Sequence, residues 1–271
     1  MVSGEWSLII FSILTQCAVG IWVVAIGLRT FTKGTEPNIA AELTWRPLLV
    51  VGPLMCIALV ISIFHLGSPI QAYASVANLL TSWLSREIVF SGLFLFFWVI
   101  SILVYRRGTS SVILGWVTSF LGLIAVFSMA SIYYTTPIPA WASPNTYISF
   151  FATMIILGSL ASTMFMETIK DFTAHQGERT ILWKLSLFTM GVLLIQGAFF
   201  IVNSEVHSFL PVLYCILLFL GGINFLVYSF QRYKKSGNGL RPVFYLSLVL
   251  LFSAQVLGRY LFYSSAVPIM G

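Results

Sequence analysis

The chain has 271 residues, of which 59% are hydrophobic and only 8% charged, and its mean hydropathy is +0.97. An ordinary soluble domain carries roughly a quarter charged residues, so a water-soluble enzyme or binding module is excluded and an integral membrane protein is indicated. The net charge of +6 carries no implication of nucleic acid until its distribution along the chain is known.

In chain order, apolar runs of about the 20 residues that cross a hydrocarbon core as a helix fall at Trp6–Leu28, Pro47–Leu66, Ile88–Tyr105, Val112–Tyr134, Tyr147–Met166, Ile181–Val202, Phe209–Phe230 and Val243–Tyr263. The runs are continuous rather than alternating, which speaks against a membrane β-barrel. Pro53, Pro211, Gly221 and Gly222 inside them are tolerated where neighbouring helices satisfy the freed backbone groups. The expected fold is an all-α integral membrane protein of eight transmembrane helices, forming one membrane domain over residues 1–271. The first span has its positive charges after it and no A-x-A-like site, so it reads as a span and not a removable signal.

The connections sort by charge. Those after the first, third, fifth and seventh spans hold Arg29, Lys33, Arg46, Arg106, Arg107, Lys170, Arg179, Lys184, Arg232, Lys234, Lys235 and Arg241, twelve of the fourteen basic residues. The other side has Arg86 and Arg259. The positive-inside rule then places both termini on the extracytoplasmic side. Every connection is short, so large catalytic machinery has to come from another polypeptide.

Cys17, Cys56 and Cys215 lie in separate spans with no C-x-x-C spacing, which argues against an iron–sulfur cluster or a disulfide framework. His65 and His207 both fall near the outer surface and His175 in a cytoplasmic loop. One haem near the outer face is conceivable on these residues and a two-haem relay is not; neither haem nor an iron–sulfur cluster is expected in this protein. No metal-ligand cluster stands out.

What remains is a polar set at the outer face. The second span runs outward, with His65 in its last turn and a Gly67-Ser68-Pro69 break after it; the third runs inward, with Arg86 and Glu87 at its start. Gln255, Arg259 and Tyr263 are spaced by four and share one face of the eighth helix. Gln196, Glu205 and His207 join from the outer end of the sixth. Snorkelling to headgroups accounts for Arg86 and Glu205 as well as function does. Arg259 is different: it lies about a turn inside an apolar span, where an unpaired charge costs about 2–3 kcal/mol on insertion scales.

"FHLGSP" at Phe64–Pro69, "LSREI" at Leu84–Ile88 and "GRYLFY" at Gly258–Tyr263, with "TQC" at Thr15–Cys17 and "QGA" at Gln196–Ala198, resemble the membrane-anchor subunit of the dimethyl sulfoxide reductase family (DmsC family). The resemblance runs through the whole sequence in span order. It implies eight spans, both termini outside, and a subunit that oxidises menaquinol. It also implies two partners at the outer face: a molybdopterin catalytic subunit and a four-cluster, ferredoxin-like iron–sulfur subunit. The family's quinol-site histidine, glycine and acidic residue fall on His65, Gly67 and Glu87. The expected binding set is His65, Gly67, Ser68, Arg86, Glu87, Gln196, Arg259 and Tyr263, with His65 and Glu87 handling protons. An acidic residue found in the eighth span of some relatives is replaced here by Gln255. The short, nearly uncharged, aromatic segments Gly67–Leu84 and Thr135–Thr146 suit docking of those partners, because exposed apolar surface of that kind marks interfaces.

The residue types fit quinol chemistry. Oxidation removes two electrons and two protons, so a site needs a group for each ring oxygen and a base, and a histidine and a carboxylate supply both. Anchors of formate, polysulfide, tetrathionate or oxyanion enzymes are alternatives within the same class. A transporter, the rival class, would place its polar residues near the midplane, where Gln16 stands almost alone. The charge distribution sets the first test: reporter fusions should place Lys234 in the cytoplasm and Gly271 outside, and an inside C-terminus would overturn the outward-facing site.

Overall fold

With no water in hydrocarbon to satisfy peptide groups, an apolar segment has to close its hydrogen bonds within itself, and the computed structural model shows this in all eight runs. It describes residues 6–31, 37–63, 78–107, 111–168, 176–203, 208–234 and 240–265. The elements are α1 (Trp6–Phe31), α2 (Pro37–Ile63), α3 (Trp83–Arg106), α4 (Val112–Tyr134), α5 (Pro144–Thr168), α6 (Gln176–Asn203), α7 (Phe209–Lys234) and α8 (Arg241–Ser264). No strand occurs among the described residues. Each of the eight contains a stretch long and apolar enough to cross a membrane.

The helices outrun the apolar runs that announce them. α2 starts at Pro37, ten residues before the expected Pro47, and carries both Pro47 and Pro53 inside it. Nothing obliges a helix to stop at the membrane surface: the sequence from 38 to 46 holds good helix formers, and proline suits a first helical position. α3 starts at Trp83 instead of Ile88 because Ser82 caps it, its Oγ accepting from the Ser85 amide at 3.3 Å. Such a cap satisfies one of the orphan amides of the first turn. Glu87 consequently lies in the second turn of α3, about 6 Å along the axis from Trp83. The described part of α2 ends at Ile63, so His65, Gly67 and Ser68 lie outside the described residues, as do Glu205 and His207.

α1 is the most enclosed span and packs against α2, α4, α5 and α8. Its crossing with α5 is made by glycines: a Cβ on Gly20 would lie 1.9 Å from the Met154 carbonyl oxygen, and one on Gly158 would lie 2.3 Å from the Gly20 backbone. In lipid, where apolar contact with a neighbour gains little over contact with acyl chains, close backbone approach supplies the van der Waals energy of association. One core, including Trp22, Met55, Phe94 and Phe150, gathers α1 to α5; a second, including Leu160, Leu193, Phe225 and Leu251, gathers α5 to α8.

Polar pins join the helices. Trp22 Nε1 donates to the Gly115 carbonyl at 3.0 Å and Trp98 Nε1 to the Leu48 carbonyl at 2.7 Å. The Trp98 ring fills the place that a side chain at position 52 would occupy. At the basic end, Glu167 of α5 accepts from Tyr228 and from the fully buried Arg232 of α7, with Arg241 of α8 at 3.9 Å. Arg232, counted from sequence with the cytoplasmic positives, is thus a buried ion-pair partner.

The glycine crossing generates a prediction. Gly158→Leu drives a side chain into fixed backbone that no rotamer change relieves, and overpacking of this kind costs about 1–3 kcal/mol or more. Thermal denaturation in detergent should show a lower midpoint and reduced yield. Gly191→Leu, which meets nothing within 4 Å, should behave as wild type; equal behaviour of the two would show that the crossing contributes nothing.

Candidate functional site

The spacing of Gln255, Arg259 and Tyr263 puts all three on the inward face of α8, where they are 1%, 3% and 2% exposed. The cluster lies at the bundle end opposite the basic connections. Each of the three opens a different part of it.

Gln255 and Gln196 of α6 form a reciprocal amide pair: Gln196 Nε2 donates to Gln255 Oε1 at 3.1 Å and Gln255 Nε2 donates back to Gln196 Oε1 at 3.2 Å. Thr153 of α5 adds a donor to Gln255 Oε1 at 2.7 Å. One turn further along α8, Arg259 Nη2 donates to Gln16 Oε1 of α1 at 2.8 Å, and Gln16 Nε2 lies 3.6 Å from Met129 Sδ. The guanidinium lies over the Phe150 ring at 3.8 Å, with the Phe262 ring at 5.6 Å. Ring faces stabilise a desolvated cation by about 2 kcal/mol, which offsets part of the cost of burying it. Arg259 Nε and Nη1 are buried without a hydrogen-bond partner among the described residues.

Thr153, Gln196, Gln255, Arg259 and Phe262 line a cavity of about 490 Å³. It runs from Gln196 and Gln255 to Ala140 in the connection before α5, to Asn203 at the end of α6 and to Ser265 after α8, and Phe200, Tyr214 and Phe262 form its apolar walls.

Tyr263 opens the other part. Its hydroxyl lies 3.0 Å from that of Tyr133 on α4, and both phenols are within electrostatic reach of Glu87 on α3. Glu87 is 4% exposed and its Oε1 has no hydrogen-bond partner among the described residues. The described polar residues therefore divide into a carboxyl on the α3–α4 side and a guanidinium with two amides on the α5–α8 side, joined through the tyrosine pair.

Glu87, Gln196, Arg259 and Tyr263 of the expected set are brought to one end of the bundle. Arg86 lies at the same end, beside Glu87, but its guanidinium donates to the Leu79 and Leu80 carbonyls at 3.0 and 2.6 Å and stacks on Trp83 at 4.1 Å, closing its own connection. Trp141, expected on an exposed docking segment, instead stacks on Phe262 and donates from Nε1 to the Phe262 carbonyl at 2.7 Å. The indole satisfies a carbonyl of the last turn of α8 and carries its apolar ring with it. Among the described residues of these regions, Leu79, Leu80 and Leu84 are the large apolar side chains left exposed, with Tyr134 exposed at the end of α4. Sequence reasoning missed Gln16, Tyr133 and Thr153. Gln16 gave a signal as the strongly polar residue in the middle of α1; tyrosines and threonines near span ends give none.

Eight apolar spans with a buried polar site at one end define a multi-span membrane protein. The protein belongs to the DMSO reductase anchor subunit (DmsC) family, whose pattern matches residues 1–265. It is 28% identical over 276 residues to the C subunit of the anaerobic dimethyl sulfoxide reductase of Haemophilus influenzae, covering 96% of this sequence and 94% of that one. To the YnfH subunit of an Escherichia coli anaerobic dimethyl sulfoxide reductase it is 27% identical over 278 residues, with the same coverage. To the C subunit of the Escherichia coli anaerobic dimethyl sulfoxide reductase it is 30% identical over 169 residues, covering 60% of this sequence and 58% of that one. No solved structure matches. The resemblance carried by "FHLGSP", "LSREI" and "GRYLFY" is borne out, and the protein is a multi-span membrane anchor subunit of the anaerobic dimethyl sulfoxide reductase type.

The amide pair can be tested directly. Gln255→Leu leaves Gln196 and Thr153 without their shared acceptor and should lower stability by about 1 kcal/mol, the scale of side-chain hydrogen bonds in membrane bundles. Adding Gln196→Leu should recover part of the loss, since removing both partners of a buried pair is milder than removing one. Detergent denaturation midpoints that fall additively would contradict the coupling.

Proposed function

We propose that this protein binds menaquinol near the extracytoplasmic face of the cell's inner (cytoplasmic) membrane and oxidises it to menaquinone. The two electrons pass to a four-cluster iron–sulfur subunit and from there to a molybdopterin catalytic subunit, while the two protons leave on the outer side. Supporting this are the family, the relatives' names, and the split of basic residues that puts Glu87 at the outward end.

The single observation that carries the reading is Glu87: a carboxyl buried in the bundle, with an oxygen that no described residue engages. A buried polar atom without a partner costs about 1–3 kcal/mol, and a carboxyl is kept there most simply if a ligand hydroxyl completes it. A quinol hydroxyl is such a donor, and the carboxyl can take its proton. His65 is proposed as the second proton acceptor, with Gly67 and Ser68 beside it in sequence; these three lie outside the described residues. Gln196, Arg259 and Tyr263 are retained as binding residues. Arg86 is engaged by its own connection and is not.

Two substitutions separate the roles. Glu87→Gln keeps the shape and removes the titrating group, so quinol binding should survive while the rate falls by about 10²–10⁴-fold, as for loss of a positioned acid or base. His65→Arg puts a permanent bulky cation at a position meant for a proton acceptor, so binding and turnover should both collapse. Oxidation of a menaquinol analogue and dye-linked reductase activity are measured on the same membranes; the dye bypasses the anchor. Wild-type quinol rates in both variants, or equal loss of the dye-linked activity, would refute the assignment.

A further inference from the structure

We propose that the seam between α1, α3 and α4 beneath Glu87 holds bound water, fixed by the hydroxyls of Thr15, Ser91 and Ser128, and that this water supports the Glu87 carboxyl in both of its protonation states. The role given to Glu87 rests on the quinol-oxidising reading. The water site itself does not, and the experiment separates the two.

One close contact defines the seam. A Cβ on Gly122 of α4 would lie 2.8 Å from Val19 of α1 and 2.9 Å from the Phe94 ring of α3, so the three helices meet at that level. α1 and α3 start at the outer end of the bundle and α4 finishes there. One turn outward from the contact, on the same helix faces, come Thr15 on α1, Ser91 on α3 and Ala125 on α4. The next turn out carries Glu87 on α3 and Ser128 on α4. All four polar residues are buried.

Most buried hydroxyls of the described helices donate back to a carbonyl one turn earlier, as Ser101, Thr118 and Thr163 do at 2.8–2.9 Å. Back-bonding of this kind is the ordinary local solution for serine and threonine inside a helix. Thr15 Oγ1, Ser91 Oγ and Ser128 Oγ do not adopt it, and with Glu87 Oε1 they have no hydrogen-bond partner among the described residues. Ser159 and Ser162 share that state on α5, outside this seam. A hydroxyl that leaves its own helix carbonyl and finds nothing else only destabilises a bundle. Buried water reverses the sign, since one molecule makes about three hydrogen bonds to groups of this kind.

Water and hydroxyls also suit a group that changes protonation. An ionised carboxylate only accepts, but once it has taken a proton from a ring hydroxyl it has an O–H to donate. Water, serine and threonine can each donate or accept, so the network can reverse direction with the carboxyl. Glu87 then stands between the ring on one side and the water on the other, which the several lone pairs of a carboxylate allow.

The test uses the full-length protein in detergent, with thermal denaturation as the readout. Ser91→Ala and Thr15→Val each remove a hydroxyl with almost no change of shape. Removal of a hydroxyl that bonds to nothing leaves the midpoint unchanged or raises it; removal of one that holds water should lower it by about 2–4 °C, the scale of one hydrogen bond in a chain of this size. Ser91→Ala combined with Glu87→Gln should lose less than the sum of the single losses, because both act on the same water. In menaquinol-analogue oxidation, Ser91→Ala and Thr15→Val should lower kcat about 2- to 10-fold, with KM and dye-linked activity unchanged, and Thr15→Ser, which keeps the hydroxyl, should keep the wild-type kcat. Midpoints at or above wild type in both Ser91→Ala and Thr15→Val would overturn the inference, as would additive losses in the combination with Glu87→Gln. Coupled midpoints together with wild-type quinol turnover in Glu87→Gln would sustain the water site while refuting the quinol-site reading; slow turnover in Glu87→Gln with uncoupled midpoints would do the opposite.

Discussion

In hydrocarbon a guanidinium or an amide cannot turn to water, and Arg259 shows what the bundle must do about it. Its charge is spread over the Phe150 and Phe262 ring faces, and one of its amino groups is taken by Gln16. That contact ties α8 to α1, and α1 is tied to α5 by the Gly20–Gly158 crossing. The cation therefore sits where the two core clusters meet, and the helices that form its surroundings are held by contacts that would be lost if any of them tilted. Glu167 solves the same problem at the basic end with a carboxylate, drawing on Tyr228 and Arg232. There opposite charges meet and pair directly.

The contrast between the two ends is informative. A buried ion pair that satisfies itself is a structural clamp, and removing one member costs about 3–5 kcal/mol because the other remains buried and uncompensated. Glu87 and Arg259 are a carboxyl and a guanidinium at the other end, yet they are held apart, with the Tyr133–Tyr263 pair between them. Each retains an atom without a hydrogen-bond partner among the described residues. A bundle that gained only stability from these residues would have joined them directly. Separation leaves one acceptor-bearing and one donor-bearing face.

Much of the architecture was legible in the sequence because one constraint dominates it: a span must be apolar for about 20 residues, and eight runs meet that condition. Helix ends were less legible because caps and not hydropathy set them; Ser82 extends α3 by five residues beyond the apolar run, which moves Glu87 into the second turn. Within α8 the spacing by four correctly grouped Gln255, Arg259 and Tyr263 on a buried face. Their partners were not legible, since Gln16 is 243 residues from Arg259 and 102 residues separate Thr153 from Gln255. Pairings at that range depend on how helices are arranged about α1, and periodicity within a helix carries no record of its neighbours. Trp141 illustrates the same gap: an aromatic residue in a short connection reads as exposed until the open carbonyl at the end of α8 is seen to need a donor.

The division into two faces bears on how a quinol site can turn over. Binding that favours substrate and product equally lowers neither barrier nor product retention. A carboxylate accepts from a quinol hydroxyl and has nothing to accept from a quinone carbonyl, whereas a guanidinium donates to the oxygen of either, so loss of the two hydroxyl hydrogens weakens the hold at a carboxylate and not at a guanidinium. The tyrosine hydroxyls can act either way, as donor or acceptor, and therefore suit the boundary between them. The Gln255–Gln196 pair then does more than fill space beside Arg259. By occupying one another's oxygens the two amides satisfy their buried acceptors across the α6–α8 interface, while Asn145 Oδ1 in the same lining finds no partner among the described residues.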